Sequence, residues 1–132
     1  MTIEHINVLI NDADWAWPMA VGQIFRNRNV ELLMVKQVDE ALNVLQQRRI
    51  HTAIIDMNSR ILNGLGLIRA IRSGFPLLPC ILVADNVEKK LLSDALELEV
   101  FSVISKPVDM ELLRTQLNRL FIRRYNSSLF ES

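Results

Sequence analysis

Five short apolar runs punctuate the chain, and between them the apolar residues recur every three or four positions. The runs are Ile6 to Ile10, Val30 to Val35, Thr52 to Ile55, Cys80 to Val83 and Val100 to Ile104. Runs of this length, bounded by polar and turn residues, predict strands. Cys80-Ile81-Leu82-Val83 is apolar without alternation, as expected of a strand covered on both faces. The intervening stretches predict helices. Asp14 can cap one running to about Asn27, with Pro18 in its first turn, where a missing amide donor costs little. Ala41, Leu42 and Leu45 share one face of a helix over Asp39 to Arg48. Asn63-Gly64 leads into a helix carrying Leu65, Ile68, Ala70 and Ile71, and Ser73-Gly74-Phe75-Pro76 stops it. Further helices are predicted over Glu88 to Leu98 and from Asp109 to about Arg124.

Strands alternating with helices imply βαβ units and a parallel sheet with helices on both faces. Right-handed crossovers leave few topologies. The predicted fold is α/β: a doubly wound, five-stranded parallel sheet of flavodoxin-like order 2-1-3-4-5. Internal repeats and low-complexity tracts are absent from the sequence, and Tyr125 to Ser132 reads as a loose end or linker.

At 132 residues, half of them hydrophobic, the chain is long enough for one domain with a real core and too short for two of ordinary size. Fifteen basic residues balance fifteen acidic ones, which argues against nucleic-acid binding driven by overall charge. No helix-turn-helix is left once the βα units are assigned. Cys80 is the single cysteine and reads as a reduced, buried strand residue. With no signal peptide apparent and no apolar run near the ~20 residues of a membrane span, the expectation is a cytoplasmic protein without membrane contact. His5 and His51 form no metal-spaced cluster.

Chemistry collects at one predicted edge. Asp12 follows the first strand, Asp56 ends the third and Lys106 follows the fifth, so all three fall at the carboxyl ends of the strands, where open α/β sheets bind ligands. Two neighbouring carboxylates repel unless a cation intervenes, and magnesium suits a few hard oxygens with water or phosphate filling its other positions. A carboxylate beside a lysine and a metal can act as a nucleophile toward phosphorus. Asp14 reads as a helix cap instead.

The segments Val8-Leu9-Ile10-Asn11-Asp12, Ile54-Ile55-Asp56 with Asn63-Gly64-Leu65, Pro79-Cys80-Ile81-Leu82-Val83 and Ile104-Ser105-Lys106-Pro107 occur in that order. Over about residues 5 to 122 the chain resembles the CheY-like receiver domain of two-component response regulators. The resemblance implies a receiver domain over 1–122, with 123–132 as a helix end and tail that can link to an output domain. It implies a regulatory rather than enzymatic role, with Asp56 as phosphoacceptor. Magnesium (Mg2+) would be held by Asp12, Asp56 and the backbone carbonyl of Asn58, and more weakly by Asn11 through water. Lys106 would contact the phosphoryl group, before a cis peptide bond to Pro107. The implied partners are a sensor histidine kinase or phosphotransfer protein, and a second copy through the face of the fourth and fifth predicted helices.

The chain also departs from the family pattern. Asn11 replaces the first of two acids, keeping an oxygen but losing a charge. Ala84 stands where the family carries Ser or Thr, Val103 where it carries an aromatic ring, and Ser59-Arg60 where Met-Pro is usual. A hydrogen bond to a charged group contributes roughly 1.5–3 kcal/mol, and allosteric coupling typically totals about 1–3 kcal/mol. Losing the hydroxyl is therefore expected to remove most of the usual switch. Two alternatives follow: a phosphorylation-independent pseudo-receiver, and, more remotely, a haloacid-dehalogenase-like phosphatase suggested by Asp12-Ala13-Asp14. Leu112, Leu113, Leu117 and Leu120 are expected in the core. Phe121, Ile122, Tyr125, Leu129 and Phe130, beside Arg119, Arg123 and Arg124, are expected to form a dimer or linker face, and at most one of Trp15 and Trp17 to pack inward.

Overall fold

In the computed structural model, which describes residues 5–11 and 29–126, the five apolar runs become one parallel sheet. Its strands are β1 (His5–Ile10), β2 (Asn29–Met34), β3 (Thr52–Asp56), β4 (Cys80–Ala84) and β5 (Ser102–Ser105), in the order β2-β1-β3-β4-β5. The described helices are α1 (Val38–Gln47), α2 (Gly64–Gly74), α3 (Lys89–Glu97) and α4 (Met110–Tyr125). The predicted topology is therefore the observed one. The helix expected from Asp14 to Asn27, with Trp15 and Trp17, lies outside the described residues, as do Asp12, Leu129 and Phe130.

Alternation along the strands builds two apolar layers, because successive side chains point to opposite faces. Leu9, Ala53, Ile55, Cys80, Leu82 and Ala84 face one side, against Ala41 and Leu45 of α1, Leu67, Ile68 and Ile71 of α2, and Leu91 and Ala95 of α3. Ile6, Val8, Ile10, Ile54, Ile81, Val83 and Ile104 face the other, against Leu113, Leu117, Leu120 and Phe121 of α4.

Local signals set the helix ends. The Asp109 carboxylate accepts from the N–H groups of Glu111 and Leu112 at the start of α4, and Asn126, in the left-handed conformation, ends it. Asn63 caps α2 by accepting from the Gly66 N–H at 2.8 Å. Gly64 is required by a close approach: a Cβ there would lie 2.7 Å from the Asp56 carbonyl oxygen.

Three expectations need correction. β5 begins at Ser102 rather than Val100, because the chain turns at Glu99 (φ 54°) and the Val100 N–H still donates back to Ala95 O at 3.1 Å. Leu112 is 43% exposed, since α4 presents Leu113, Leu117 and Leu120 to the sheet and leaves Leu112 to one side. Phe121 is fully buried rather than part of an outer face, its ring 5.2 Å from that of Tyr125. Tyr125 is half-buried, and its hydroxyl donates to the His51 carbonyl. Of the apolar face expected at this end, Ile122 is exposed. Among the described residues no helix is long and apolar enough to cross a membrane.

Candidate functional site

The register β1–β3–β4–β5 brings the carboxyl ends of four strands to one edge. Ile10 pairs with Ile54, Asp56 with Val83, and Ala84 with Ser105. Asn11, Asp56, Ala84 and Lys106 consequently meet, although 95 positions separate the first from the last.

Asp56 is 1% exposed at the end of β3, and its carboxylate is held from two sides. Oδ2 lies 2.6 Å from the Lys106 ammonium. Oδ1 accepts from the Asn58 N–H at 2.8 Å. A buried carboxylate requires such partners, since an unpaired one would be expensive to desolvate. The Lys106 N–H donates to Ala84 O at 2.9 Å, which holds the residue beside the end of β4, and its peptide bond to Pro107 is cis. Its ammonium also lies 3.6 Å from Oδ1 of Asp85, an acid whose side chain is 61% exposed.

Asn11 is fully buried, and its amide pairs with the backbone of Asp56 as a neighbouring strand would. Its Oδ1 accepts from the Asp56 N–H at 2.7 Å, and its Nδ2 donates to the carbonyls of Asp56 and Leu62, each at 3.0 Å. Ser59 closes the loop by donating its hydroxyl to the Asn11 carbonyl at 3.1 Å, while accepting from the N–H groups of Ile61 and Leu62. The roles of Ser59 and of the Asn58 side chain were not anticipated from the sequence. Asn58 Oδ1 accepts from the Asp85 N–H at 2.7 Å, tying the loop after β3 to the loop after β4. The available signal was compositional: Asn and Ser in loops tend to bond nearby backbone.

Ala84 is 1% exposed and offers no hydroxyl; the Asn58–Asp85 bond and the Lys106–Ala84 bond link these loops. Val103 is partly buried against the layer under α2 and α3. Beside the site, a cleft of about 470 Å³ opens between α2 and α3, lined by Met57, Asn58, Leu65, Arg69, Lys90 and Asp94 among others.

Asp56 supplies a buried carboxylate, but Oδ2 is engaged by Lys106, and the Asn11 amide is committed to backbone. Among the described residues no group of three or more His, Cys, Asp or Glu is placed to hold a metal. Among the described residues the site therefore supplies one of the two expected carboxylate ligands, Asp56; the other, Asp12, lies outside them.

Residues 8–118 match the response regulator receiver domain family. A response regulator described as NtrX-like from Rickettsia bellii is 22% identical over 116 residues; these are 86% of this chain and 24% of that relative, so the chain spans about a quarter of its length. Among solved structures, the signal receiver domain of an HD domain-containing protein from Pseudomonas fluorescens Pf-5 superposes with a TM-score of 0.78 at 21% identity, covering 93% of this chain and 99% of that one. A response regulator receiver protein from Pseudomonas putida gives 0.74 at 25% identity, covering 89% and 99%. With the family matched across most of the sheet and the expected strand order in place, the chain belongs to the response regulator receiver domains, the regulatory modules of two-component signalling.

Proposed function

We propose that this receiver accepts a phosphoryl group on the carboxylate of Asp56. The observation that supports the reading is the buried Asp56 carboxylate held 2.6 Å from the Lys106 ammonium at the carboxyl edge of the sheet. In the transfer, an Asp56 oxygen bonds to phosphorus and the bond from phosphorus to the donor breaks. The donor leaves with that electron pair, and an acyl phosphate results. Lys106 neutralises charge on the transferring group. The Asn58 N–H, 2.8 Å from Oδ1, orients the carboxylate. Asp12, the Asp56 carboxylate and the Asn58 carbonyl are the groups that would hold magnesium, whose contribution is further charge neutralisation. A phosphohistidine of a sensor kinase or phosphotransfer protein is the donor, in the cytoplasm, and an output domain or partner is the recipient of the signal.

The readout is unlike the usual one. Ala84 gives the phosphoryl group no hydroxyl to draw the loop after β4 inward, and Val103 gives no ring to swing. That loop is already tethered through Asn58 to Asp85. The same observation supports a second reading: a pseudo-receiver that holds one conformation and acts through constitutive contacts, including pairing through the face of α3 and α4, where Leu92, Leu96 and Leu112 are exposed. Intact mass after incubation with acetyl phosphate and magnesium separates the two. A single phosphoryl adduct absent from Asp56→Asn supports phosphoacceptance; no adduct on a folded sample supports the pseudo-receiver.

A further inference from the structure

Asn11 does more than omit a charge. A carboxylate at this position could accept from the Asp56 N–H, as Oδ1 does at 2.7 Å, but could not donate to anything. Its second oxygen would instead face the carbonyl oxygens of Asp56 and Leu62, where Nδ2 now donates at 3.0 Å to each. Oxygen against two carbonyl oxygens, in a fully buried position on the Asp56 backbone, is repulsive. A divalent cation bridging the acids relieves such crowding. The amide relieves it without any ion, because it carries no charge and has two N–H donors aimed at those two carbonyls. Oδ1 toward the N–H and Nδ2 toward the carbonyls is the one orientation of the amide that satisfies all three bonds.

We propose that Asn11 takes over the structural part of the metal's work, fastening the end of β1 to the end of β3 and to the loop before α2, so that this site stays assembled without magnesium. The inference rests on the reading of this edge as the phosphoacceptor site. Its test reads folding rather than phosphorylation, so the two can fail separately. Asn11 is a positioning residue: it bonds to the backbone that carries Asp56 and to the loop that follows.

The experiment is thermal unfolding of the full chain in chelator and in about 10 mM magnesium, for the wild type, Asn11→Asp and Asn11→Ala. The wild-type Tm is expected to move by less than about 1 °C on adding magnesium. Asn11→Asp should melt roughly 5–10 °C below wild type in chelator and regain at least about half of that loss with magnesium. Asn11→Ala should lose a similar amount and regain none, which separates the loss of hydrogen bonds from the gain of a cation site. Adding Asp56→Asn to Asn11→Asp should remove most of the magnesium response. If Asn11→Asp is unfolded in chelator, far-ultraviolet circular dichroism on adding magnesium serves instead: refolding supports the proposal, and failure to refold while Asn11→Ala is folded overturns it. The proposal is also overturned if the wild type gains as much from magnesium as Asn11→Asp does, or if Asn11→Asp is as stable as wild type in chelator.

Discussion

Replacing Gly64 with alanine should disturb α2 and the end of β3 together. The added Cβ would lie 2.7 Å from the Asp56 carbonyl oxygen and 2.8 Å from the Met57 Cα, both of them backbone atoms. Carbon atoms in good contact sit about 3.5–4.0 Å apart, so the Met57 contact is short by roughly 1 Å and no flexible side chain can yield. Either α2 backs away or the end of β3 moves. Overpacking of this kind typically costs about 1–3 kcal/mol. The Asp56 carbonyl also accepts from Asn11 Nδ2 at 3.0 Å, and weakening that bond adds up to about 1 kcal/mol. Alanine's helix propensity offsets at most about 1 kcal/mol. A net loss of about 1–3 kcal/mol corresponds to a Tm lowered by roughly 4–10 °C in a domain of this size. Calorimetry or circular dichroism measures it, with Gly74→Ala as the comparison. A Cβ at Gly74, the last residue of α2, meets nothing within 4 Å, so that variant should be neutral or more stable by up to about 1 kcal/mol. Faster hydrogen exchange at the Asp56 amide, now held by Asn11 Oδ1, should accompany Gly64→Ala alone. Equal Tm shifts in the two variants, or a Gly64→Ala protein within about 1 °C of wild type, would refute the reasoning.

His51 is 5% exposed; burial, helped by the positive charges of Arg49 and His5, holds its pKa below the ordinary 6.5. The neutral ring is the folded form, so its contribution to stability is complete above that value and is lost as pH falls through the lower folded pKa. Urea midpoints should therefore fall below pH 6.5, and His51→Gln should flatten that part of the profile; an unchanged slope would contradict it. Asn58→Ala removes the acceptor for the Asp85 N–H and should speed exchange of that amide by about tenfold or more while costing roughly 1 kcal/mol; an unaltered rate would show the tether carries nothing. Cys80 is fully buried, and burial pushes its thiol up to about 11, so thiol reagents should label it at neutral pH only as fast as the protein opens; rapid labelling of the folded protein would contradict its placement.

The sheet was legible because its signal is local. Each strand is an apolar run, and Asp56 and Lys106 stand out as the first charges after two of those runs. Their meeting followed from topology alone, since parallel order 2-1-3-4-5 puts the ends of the first, third and fifth strands on one edge. What the sequence hid depends on register and side-chain direction. Asn11 reads as a weakened ligand until the Ile10–Ile54 pairing sets its amide against the Asp56 backbone. Phe121 follows Leu120 directly, and only the seating of α4 on the sheet decides that both face inward. Arg72 gave no sign of its role, yet its guanidinium donates to the carbonyls of Leu78, Leu98 and Glu99, fastening the end of α2 to the turn before β5. That turn is also why β5 starts late, as an apolar run carries no mark of a left-handed residue just before it.

The central claim is that Asp56 is the nucleophile, and trapping the acyl phosphate tests it most directly. Protein treated with acetyl phosphate is reduced with borohydride, which converts an aspartyl phosphate to homoserine, then digested and mapped by tandem mass spectrometry. Homoserine at position 56 and at no other aspartate is the predicted result. Homoserine elsewhere, or none from folded protein carrying a phosphoryl adduct, would contradict it.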